Sequence, residues 1–405
     1  MNLTITIVIE QYGVTSNGIS MTAKQLAGIL IRHGLEVRIL CGSGSGTQEK
    51  IYETGINRTP VLYQICRSQG MLLALKDEKI IAEACNGADI VHMLMPSSLC
   101  KAAKKYCDKH CIPSMAAFHL QPENITSTLH EGKIRFINDL VYRRFRRFYN
   151  QFEQIHCPSQ MIADQLKQHG YKSQIHVISN GVSSIFRKMS VPKPEPYRDR
   201  FIVLMVGRLS PEKRQDLIVE AIEKSQYERN IQLILAGQGP WKQHILALAE
   251  KLSNPPLIRY CSHEELVNVI NYADLYVHAS DAEIEAISCM EAFTCGLVPV
   301  ISDSPLTATK QFALSEHNLF RQGDSDSLRE QMEYWIEHPN EKERYSQQYQ
   351  EYAKQFSADQ CVRKLERVLL MQAGMNDPGK SCAGPSFPGD AARKENVSNI
   401  NVKSK

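Results

Sequence analysis

One rhythm runs twice along this chain, and that repetition constrains its fold more than any other feature. Short apolar runs of strand length alternate with segments of helical period: Thr4–Ile9, a helix near Met21–His33, Glu36–Cys41, a helix over Asp77–Cys85, Ile90–Met93, a helix over Ser97–Lys109, and Met115–His119. Strand and helix in strict alternation predict a parallel sheet covered by helices, because a parallel neighbour is reached only by a crossover. The rhythm stops at Val191-Pro192-Lys193-Pro194-Glu195-Pro196, where three prolines rule out regular structure. It then restarts with Phe201–Val206, Gln232–Ala236, Leu275–His278 and Val298–Ile301. A chain of 405 residues exceeds what one hydrophobic core usually holds. Two α/β domains, 1–188 and 189–357, joined by the proline-rich linker, are the simplest account. Glu341–Ala373 reads as helical, with an apolar stripe of Phe356, Cys361, Leu365, Val368 and Leu369, and 374–405 reads as a disordered tail rich in Gly, Pro, Ser, Asn and Lys.

The opening segment Met1–Glu10 has no basic stretch and reads as a strand rather than a secretion signal. No apolar run reaches the roughly 18 residues that a membrane-spanning helix needs. The expectation is a cytoplasmic chain, with at most peripheral attachment to the inner face of the membrane. Twelve cysteines without paired spacing suit reduced thiols in that compartment. Cys107, His110 and Cys111 invite a zinc reading, but a closed site needs four ligands and no second pair stands at a matching spacing. The Asn-x-Ser/Thr triplets opened by Asn2, Asn124 and Asn396 carry no meaning in a chain that is not exported. Charge is unevenly placed: residues 1–188 hold 22 Lys and Arg against 14 Asp and Glu, and the remainder hold 25 against 30. The basic first half points to an anionic partner such as a membrane surface or an acidic acceptor, and nothing points to nucleic acid.

Glycines stand where strands turn toward helices. Gly13 and Gly18 lie between the first strand and its helix, where a helix N-terminus attracts negative charge; a plain tight turn accounts for them equally well. In the second half Val206-Gly207-Arg208-Leu209-Ser210-Pro211-Glu212-Lys213 puts two cations five residues apart just after a strand, placed to clamp a diphosphate unless they belong to an ordinary solvated loop. Gly237 and Gly239 open a second strand end at the same edge. Glu283 and Glu291 stand eight apart, one in a loop and one on the following helix; two glutamates at this spacing are mostly solvated, but these can also face a single cavity and accept hydrogen bonds from sugar hydroxyls.

In order, Asn180-Gly181-Val182, Gly207-Arg208-Leu209 with Lys213, Gly237-x-Gly239-Pro240, and Glu283-x7-Glu291 before Gly296-Leu297-Val298-Pro299-Val300 resemble the retaining glycosyltransferases of family 4, the group 1 transferases of bacterial cell-envelope type. The likeness covers roughly residues 1–370. It implies the GT-B fold, an α/β arrangement of two Rossmann-like doubly wound domains facing a central cleft, with acceptor bound by the first and nucleotide-sugar by the second. It also implies that the helix 358–373 returns across the first domain. By the same resemblance Arg208 and Lys213 hold the donor diphosphate, Glu291 takes the ribose hydroxyls, and Glu283 and His119 contact the donor sugar. Amides near Ile287 and Ser288 cap the phosphate, and Gly18, Asn180, Gly207, Gly237 and Gly239 complete the donor site. Where the family often has Gly-Phe-Gly-Leu after the first Glu, this chain has Ile284-Glu285-Ala286-Ile287, and its first-domain loop offers Asn17-Gly18 in place of Gly-Gly.

The resemblance further implies retention without a protein nucleophile, the departing diphosphate oxygen taking the acceptor's proton. Arg208 and Lys213 then stabilise leaving-group charge. Neither cofactor nor metal is expected: Asp324-Ser325-Asp326 imitates a metal motif but reads as a helix cap. For the acceptor, Lys133–Phe152 spaces Ile134, Ile137, Val141, Phe145, Phe148 and Phe152 on one helical face and gathers Arg143, Arg144, Arg146 and Arg147 on the other. Those arginines read as a solvated face, as a dock for anionic lipid, or as a patch for an acidic acceptor. The expected reaction moves a hexose from a nucleotide-diphosphate sugar, UDP being the family's commonest carrier, to a membrane-associated acceptor, giving a glycolipid or lipid-linked glycan. Transfer to a soluble or polysaccharide acceptor, a GT-B epimerase or phosphorylase, a dinucleotide oxidoreductase and a non-catalytic scaffold remain as alternatives.

Overall fold

The computed structural model describes residues 3–14, 18–60, 63–64, 72–123 and 134–374. Residues 124–133 and 375–405, the latter expected to be a disordered tail, therefore lie outside the described residues. The first half forms seven parallel strands: β1 (Thr4–Val8), β2 (Glu36–Cys41), β3 (Lys50–Glu53), β4 (Ile90–Met93), β5 (Ser114–Ala117), β6 (Gln154–Cys157) and β7 (Gln174–Val177). Their order across the sheet is β3-β2-β1-β4-β5-β6-β7. The second half repeats the plan with β8 (Phe201–Val206), β9 (Ile231–Ala236), β10 (Leu257–Arg259), β11 (Leu275–His278), β12 (Pro299–Ser302) and β13 (Leu319–Phe320), in the order β10-β9-β8-β11-β12-β13. Both sheets reverse direction of growth beside their first strand, the switch point at which open α/β sheets bind ligands at their carboxyl edge.

β1, β2, β4, β5, β8, β9, β11 and β12 fall within a few residues of where sequence patterning puts them, and the two-residue β13 is too short to be read. β3, β6, β7 and β10 escape it, because each is three or four residues long and carries Gln, His, Lys, Arg or Glu. Polar residues are tolerated there because β3, β7 and β10 lie at sheet edges, with one backbone side open. Helices α1 (Gly18–Arg32), α2 (Glu78–Cys85), α3 (Ser98–Lys109), α4 (Ile134–Tyr149) and α5 (Gln160–Gln168) cover the first sheet. The second sheet is covered by α6 (Gln215–Glu223), α7 (Lys242–Leu248), α8 (His263–Tyr272), α9 (Ile287–Thr294), α10 (Ser325–Glu337) and α11 (Pro339–Ala353). Caps fix several starts: Asp77 accepts from the amides of Lys79 and Ile80, and Asp324 from that of Ser327 at 2.9 Å, which gives the Asp-Ser-Asp stretch its structural role.

The stretch Glu341–Ala373, read as helical, is two helices. α11 ends at Ala353, a turn covers Lys354–Phe356, and α12 (Ala358–Gln372) starts after Ser357, whose backbone is extended (φ −55°, ψ 129°). The break is imposed from outside: the Val182 amide donates to the Phe356 carbonyl at 2.7 Å and the Ala358 amide to the Val182 carbonyl at 3.0 Å. α12 then buries Cys361, Val362, Leu365, Val368 and Leu369 in the same cluster as Ala23, Leu26, Ala27 and Leu30 of α1. His33, just after α1, joins the two helices again, with ring nitrogens 3.1 Å from Asp359 and 2.7 Å from Glu366.

Candidate active site between the two domains

The carboxyl edge of the second sheet gathers the charged residues. Beyond β8, Gly207 adopts φ +153° and leads into the loop of Arg208 and Lys213. The loop after β9 runs alongside: Leu209 donates its amide to the Gln238 carbonyl at 3.0 Å and Trp241 its own to the Leu209 carbonyl at 3.2 Å. A Cβ on Gly237 would lie 1.9 Å from the Gly207 carbonyl oxygen, and one on Gly239 2.1 Å from that of Leu209. These two glycines are thus required by the apposition of loop on loop, whatever a ligand demands. Gly18 begins α1, is exposed, and has nothing within 4 Å of a would-be Cβ.

β8 lies beside β11, which brings Lys213 to the segment beyond β11, where its ammonium pairs with Glu283, a residue expected in a loop but held in a two-residue strand, Ala282–Glu283, paired with Leu306–Thr307. Glu283 also lies 3.5 Å from Nε2 of His278, the last residue of β11. Burial alone pushes the Glu283 carboxyl up, but Lys213 and His278 outweigh it and hold it at about 2. His278 is in turn 3.3 Å from the Tyr276 hydroxyl, which donates to Ser288 Oγ at 3.0 Å. The chain Lys213–Glu283–His278–Tyr276–Ser288 therefore ties the cationic loop to the first turn of α9. Sequence reading misses Tyr276 and His278, which look like ordinary strand residues; their only signal is polarity inside a buried strand.

α9 starts at Ile287, so the amides of Ile287 and Ser288 occupy its N-terminal turn, where the helix dipole favours an anion. Ala286 precedes it in the left-handed region, φ +58° and ψ 66°, at the position where the resembled family carries its second glycine. Glu291, one helical turn further in, is buried, and that burial pushes its carboxyl up to about 8.

Opposite this edge stands the carboxyl edge of the first sheet. His119 lies two residues beyond the end of β5 rather than inside a strand. It is buried edge-on to His156 at 5.4 Å between ring centroids, and His92 is the next ring in the cluster. Burial, reinforced by His156 and His92, holds His119 well below the usual imidazole range, so it is neutral at physiological pH. Ser179 and Asn180 line the same cavity together with Cys361 and Leu365 of α12.

The two edges touch. Ser159 Oγ donates to the Ile284 carbonyl at 2.7 Å, and Asn180 donates from its backbone amide (3.0 and 3.2 Å) and from Nδ2 (2.6 Å) to the carboxylate of Glu285. Asn180, expected to touch the donor, is engaged with Glu285. Glu285 stands in the block Ile284–Ile287 that departs from the family pattern, where the sequence assigned it no role, although a charged residue inside an otherwise apolar block is a signal. It is buried at 3% exposure, and burial pushes its carboxyl up to about 7 against the hydrogen bonds of Ser179 and Asn180.

The arginines are elsewhere, on α4. Arg143, Arg144 and Arg147 are exposed, whereas Arg146 is partly buried and donates to the His169 carbonyl at 2.8 Å. The expected division of the helix needs correction, since Phe136 (75% exposed) and Leu140 (57%) share the outward face with the arginines, and Asn138 and Tyr142 are buried on the inward one. Among the described residues, no group of three or more metal-ligating side chains converges, and no helix is long and apolar enough to cross a membrane.

Known proteins share this fold and parts of this sequence. Residues 16–184 match the family model described as glycosyltransferase family 4, and residues 187–356 the model described as glycosyl transferases group 1. The GPI3 subunit of phosphatidylinositol N-acetylglucosaminyltransferase of Saccharomyces cerevisiae is 32% identical over 135 residues, 31% of this chain and 30% of that protein. Alpha-monoglucosyldiacylglycerol synthase of Streptococcus pneumoniae is 22% identical over 252 residues, 57% of each. The chain thus spans less than two thirds of the length of either relative. Among solved structures, Anabaena Alr3699/HepE in complex with UDP and glucose superposes with a TM-score of 0.70 over 91% of this chain and 100% of that one, at 16% identity, and so shares the fold.

Proposed function

The chain belongs to the family 4 glycosyltransferases of the GT-B fold, and on that premise we propose that it transfers a hexose from a nucleotide-diphosphate sugar, of the UDP kind, to a lipid acceptor at an anionic membrane surface, with retention of configuration. The observation that supports this reading is the single sheet edge that carries the loop of Arg208, the Lys213–Glu283 pair and the first turn of α9. A diphosphate laid there meets two side-chain cations and a helix N-terminus, while Glu283 and Glu291 offer acceptors to sugar and ribose hydroxyls. In the transfer, the bond from the anomeric carbon to the diphosphate oxygen breaks, the bond to the acceptor oxygen forms on the same face, and the acceptor proton passes to the departing diphosphate. The cations stabilise the charge that develops on that oxygen, in a cleft whose groups are already in place. Neutral His119 serves as a hydrogen-bonding partner for a sugar hydroxyl. No metal is called for in this scheme, so transfer is expected to persist in EDTA.

The lipid acceptor is supported by the outward face of α4. Phe136 and Leu140 can enter the interfacial layer while Arg143, Arg144 and Arg147 meet lipid phosphates. Arg144 also lies close enough to Lys101 to depress it, after burial, and Lys76 acts on Lys101 in the same sense, so the basic patch extends onto α3. The names of the streptococcal and yeast relatives likewise carry a lipid, diacylglycerol in one and phosphatidylinositol in the other. The test is a mass-spectrometric screen of purified protein with UDP- and GDP-sugars and anionic vesicles bearing diacylglycerol, ceramide or polyprenyl-linked acceptors, beside Arg208→Ala and Glu291→Ala. A glycosylated lipid formed by the wild type and lost in both variants is the expected result. Donor consumption without a heavier lipid would remove the lipid acceptor, and consumption of no donor would remove the transferase reading of this site.

A further inference from the structure

Four consecutive residues, Ser179–Val182, form the joint of the molecule. The chain leaves the first domain through them, and it returns at Phe356–Ala358, which pairs with Val182 through two backbone hydrogen bonds of 2.7 and 3.0 Å. Gln25 of α1 donates Nε2 to the carbonyls of Asn180 (3.0 Å) and Gly181 (3.2 Å), which fastens the joint to the first domain. Gly181 has φ +74°, and a Cβ there would lie 2.5 Å from Ala358 Cα, so the two crossings lie directly on one another.

Onto this joint a carboxylate reaches from the second domain. Glu285 lies two residues beyond Glu283 and takes both the backbone amide and the Nδ2 group of Asn180. Ile284, between the two glutamates, is held by Ser159 at the start of α5. A carboxylate at 3% exposure is costly unless its oxygens are satisfied, and here the joint satisfies them, through Asn180 and Ser179. Apolar side chains would fill the same space without that cost. What only the carboxylate supplies is a directional link between joint and donor loop.

We propose that Glu285 is a positioning residue that locks Ser179–Val182 to the loop carrying Glu283, so that closure of the cleft and placement of the donor-contacting carboxylate are set by one group of hydrogen bonds. The proposal rests on the reading of the cleft as the site of sugar transfer, but the lock itself is a structural property that is measured separately. Glu285 touches neither reacting atom; it acts through Asn180 on one side and Glu283 on the other.

The experiment is hydrogen–deuterium exchange on the full chain, wild type beside Glu285→Leu, Glu285→Gln and Asn180→Ala, with kcat and donor KM measured in parallel on whichever donor the wild type consumes. In Glu285→Leu, peptides covering 178–182 and 284–286 are expected to exchange about 10- to 100-fold faster, the range set by losing hydrogen bonds to a charged group. Peptides in β8 and β9 should keep wild-type protection, which shows that the variant folds. kcat should fall at least as steeply as KM rises, with Glu285→Gln intermediate because its carbonyl oxygen still accepts from the Asn180 amide. Asn180→Ala should loosen the same two peptides from the other side. Unchanged exchange of 178–182 in both Glu285→Leu and Asn180→Ala would overturn the proposal, as would a loss of transfer without any change in exchange. Faster exchange in a protein whose wild type consumes no donor would uphold the lock while refuting the transferase reading.

Discussion

Glu283 and Glu291 stand on the same short block and respond to pH in opposite senses. Burial raises Glu291 from an ordinary value near 4.5 to about 8, so the folded chain holds a proton that the unfolded chain releases. Its contribution to stability is complete below about pH 4.5 and is lost as pH rises through about 8. Glu283, held at about 2 by Lys213 and His278 against burial, contributes above the ordinary carboxylate range and loses that contribution as pH falls toward 2. Glu291→Gln removes the first effect. It is expected to match the wild type in stability at about pH 5 and to exceed it at about pH 9 by on the order of 2 kcal/mol, a discounted share of the roughly 1.4 kcal/mol that each tenfold change in proton affinity represents. Thermal denaturation across that range checks it; a stability difference that does not grow with pH would show that the carboxyl is not held protonated. Glu283 and Glu291 were both legible in the sequence because their spacing is distinctive. Glu285 was not, since its role depends on Asn180, 105 residues earlier in the chain.

At the scale of elements, the joint and α12 decide whether the second crossing stays in place. α12 alone buries six side chains, Ala358, Cys361, Val362, Leu365, Val368 and Leu369, against the first domain. At roughly 1.5–3 kcal/mol for a fully buried large aliphatic side chain, this face is a substantial fraction of a typical folding free energy. Gly181→Ala is the single change that should disturb it most, through a left-handed backbone and a close approach to Ala358. A loss of about 2–4 kcal/mol is expected, together with faster proteolysis between 354 and 374 than in the wild type. Urea unfolding and limited proteolysis read the two quantities; a variant with wild-type stability would mean that the joint relaxes freely. The helical pattern over Glu341–Ala373 gave no warning of the break at Ser357, and only the family resemblance set a separate helix over 358–373, because the cause lies in Val182 and not in the local sequence.

For the molecule as a whole, the exposed face of α4 sets how it would meet a surface. The outward face of α4 combines Phe136 and Leu140 with Arg143, Arg144 and Arg147. Replacing the three arginines by glutamate should abolish sedimentation with vesicles rich in anionic lipid, whereas Phe136→Ser with Leu140→Ser should weaken it by about tenfold or more and leave its salt dependence in place. Each basic residue near such a surface is worth about 1 kcal/mol, screened over a Debye length of about 8–10 Å. Binding that is equal on neutral and anionic vesicles would show that this face serves another purpose.

The sequence by itself determined the fold class, because alternating apolar runs of two periods admit little besides parallel sheets under helices, and it located the charged block, because glycines and glutamates at fixed spacings survive in one dimension. It placed most of the longer strands for the same reason, and lost β3, β6, β7 and β10 because a short run containing charged or polar residues looks like a loop until neighbours supply its hydrogen bonds. Only the tertiary structure decided which groups meet. It paired Lys213 with Glu283 across 70 residues, gave Gly237 and Gly239 a loop to accommodate, turned Arg146 inward to His169, and set Asn180 on Glu285. Local propensity acts over a few residues, while burial and directional hydrogen bonds act wherever the folded chain brings their partners within about 3 Å, and that proximity is not written in any one segment.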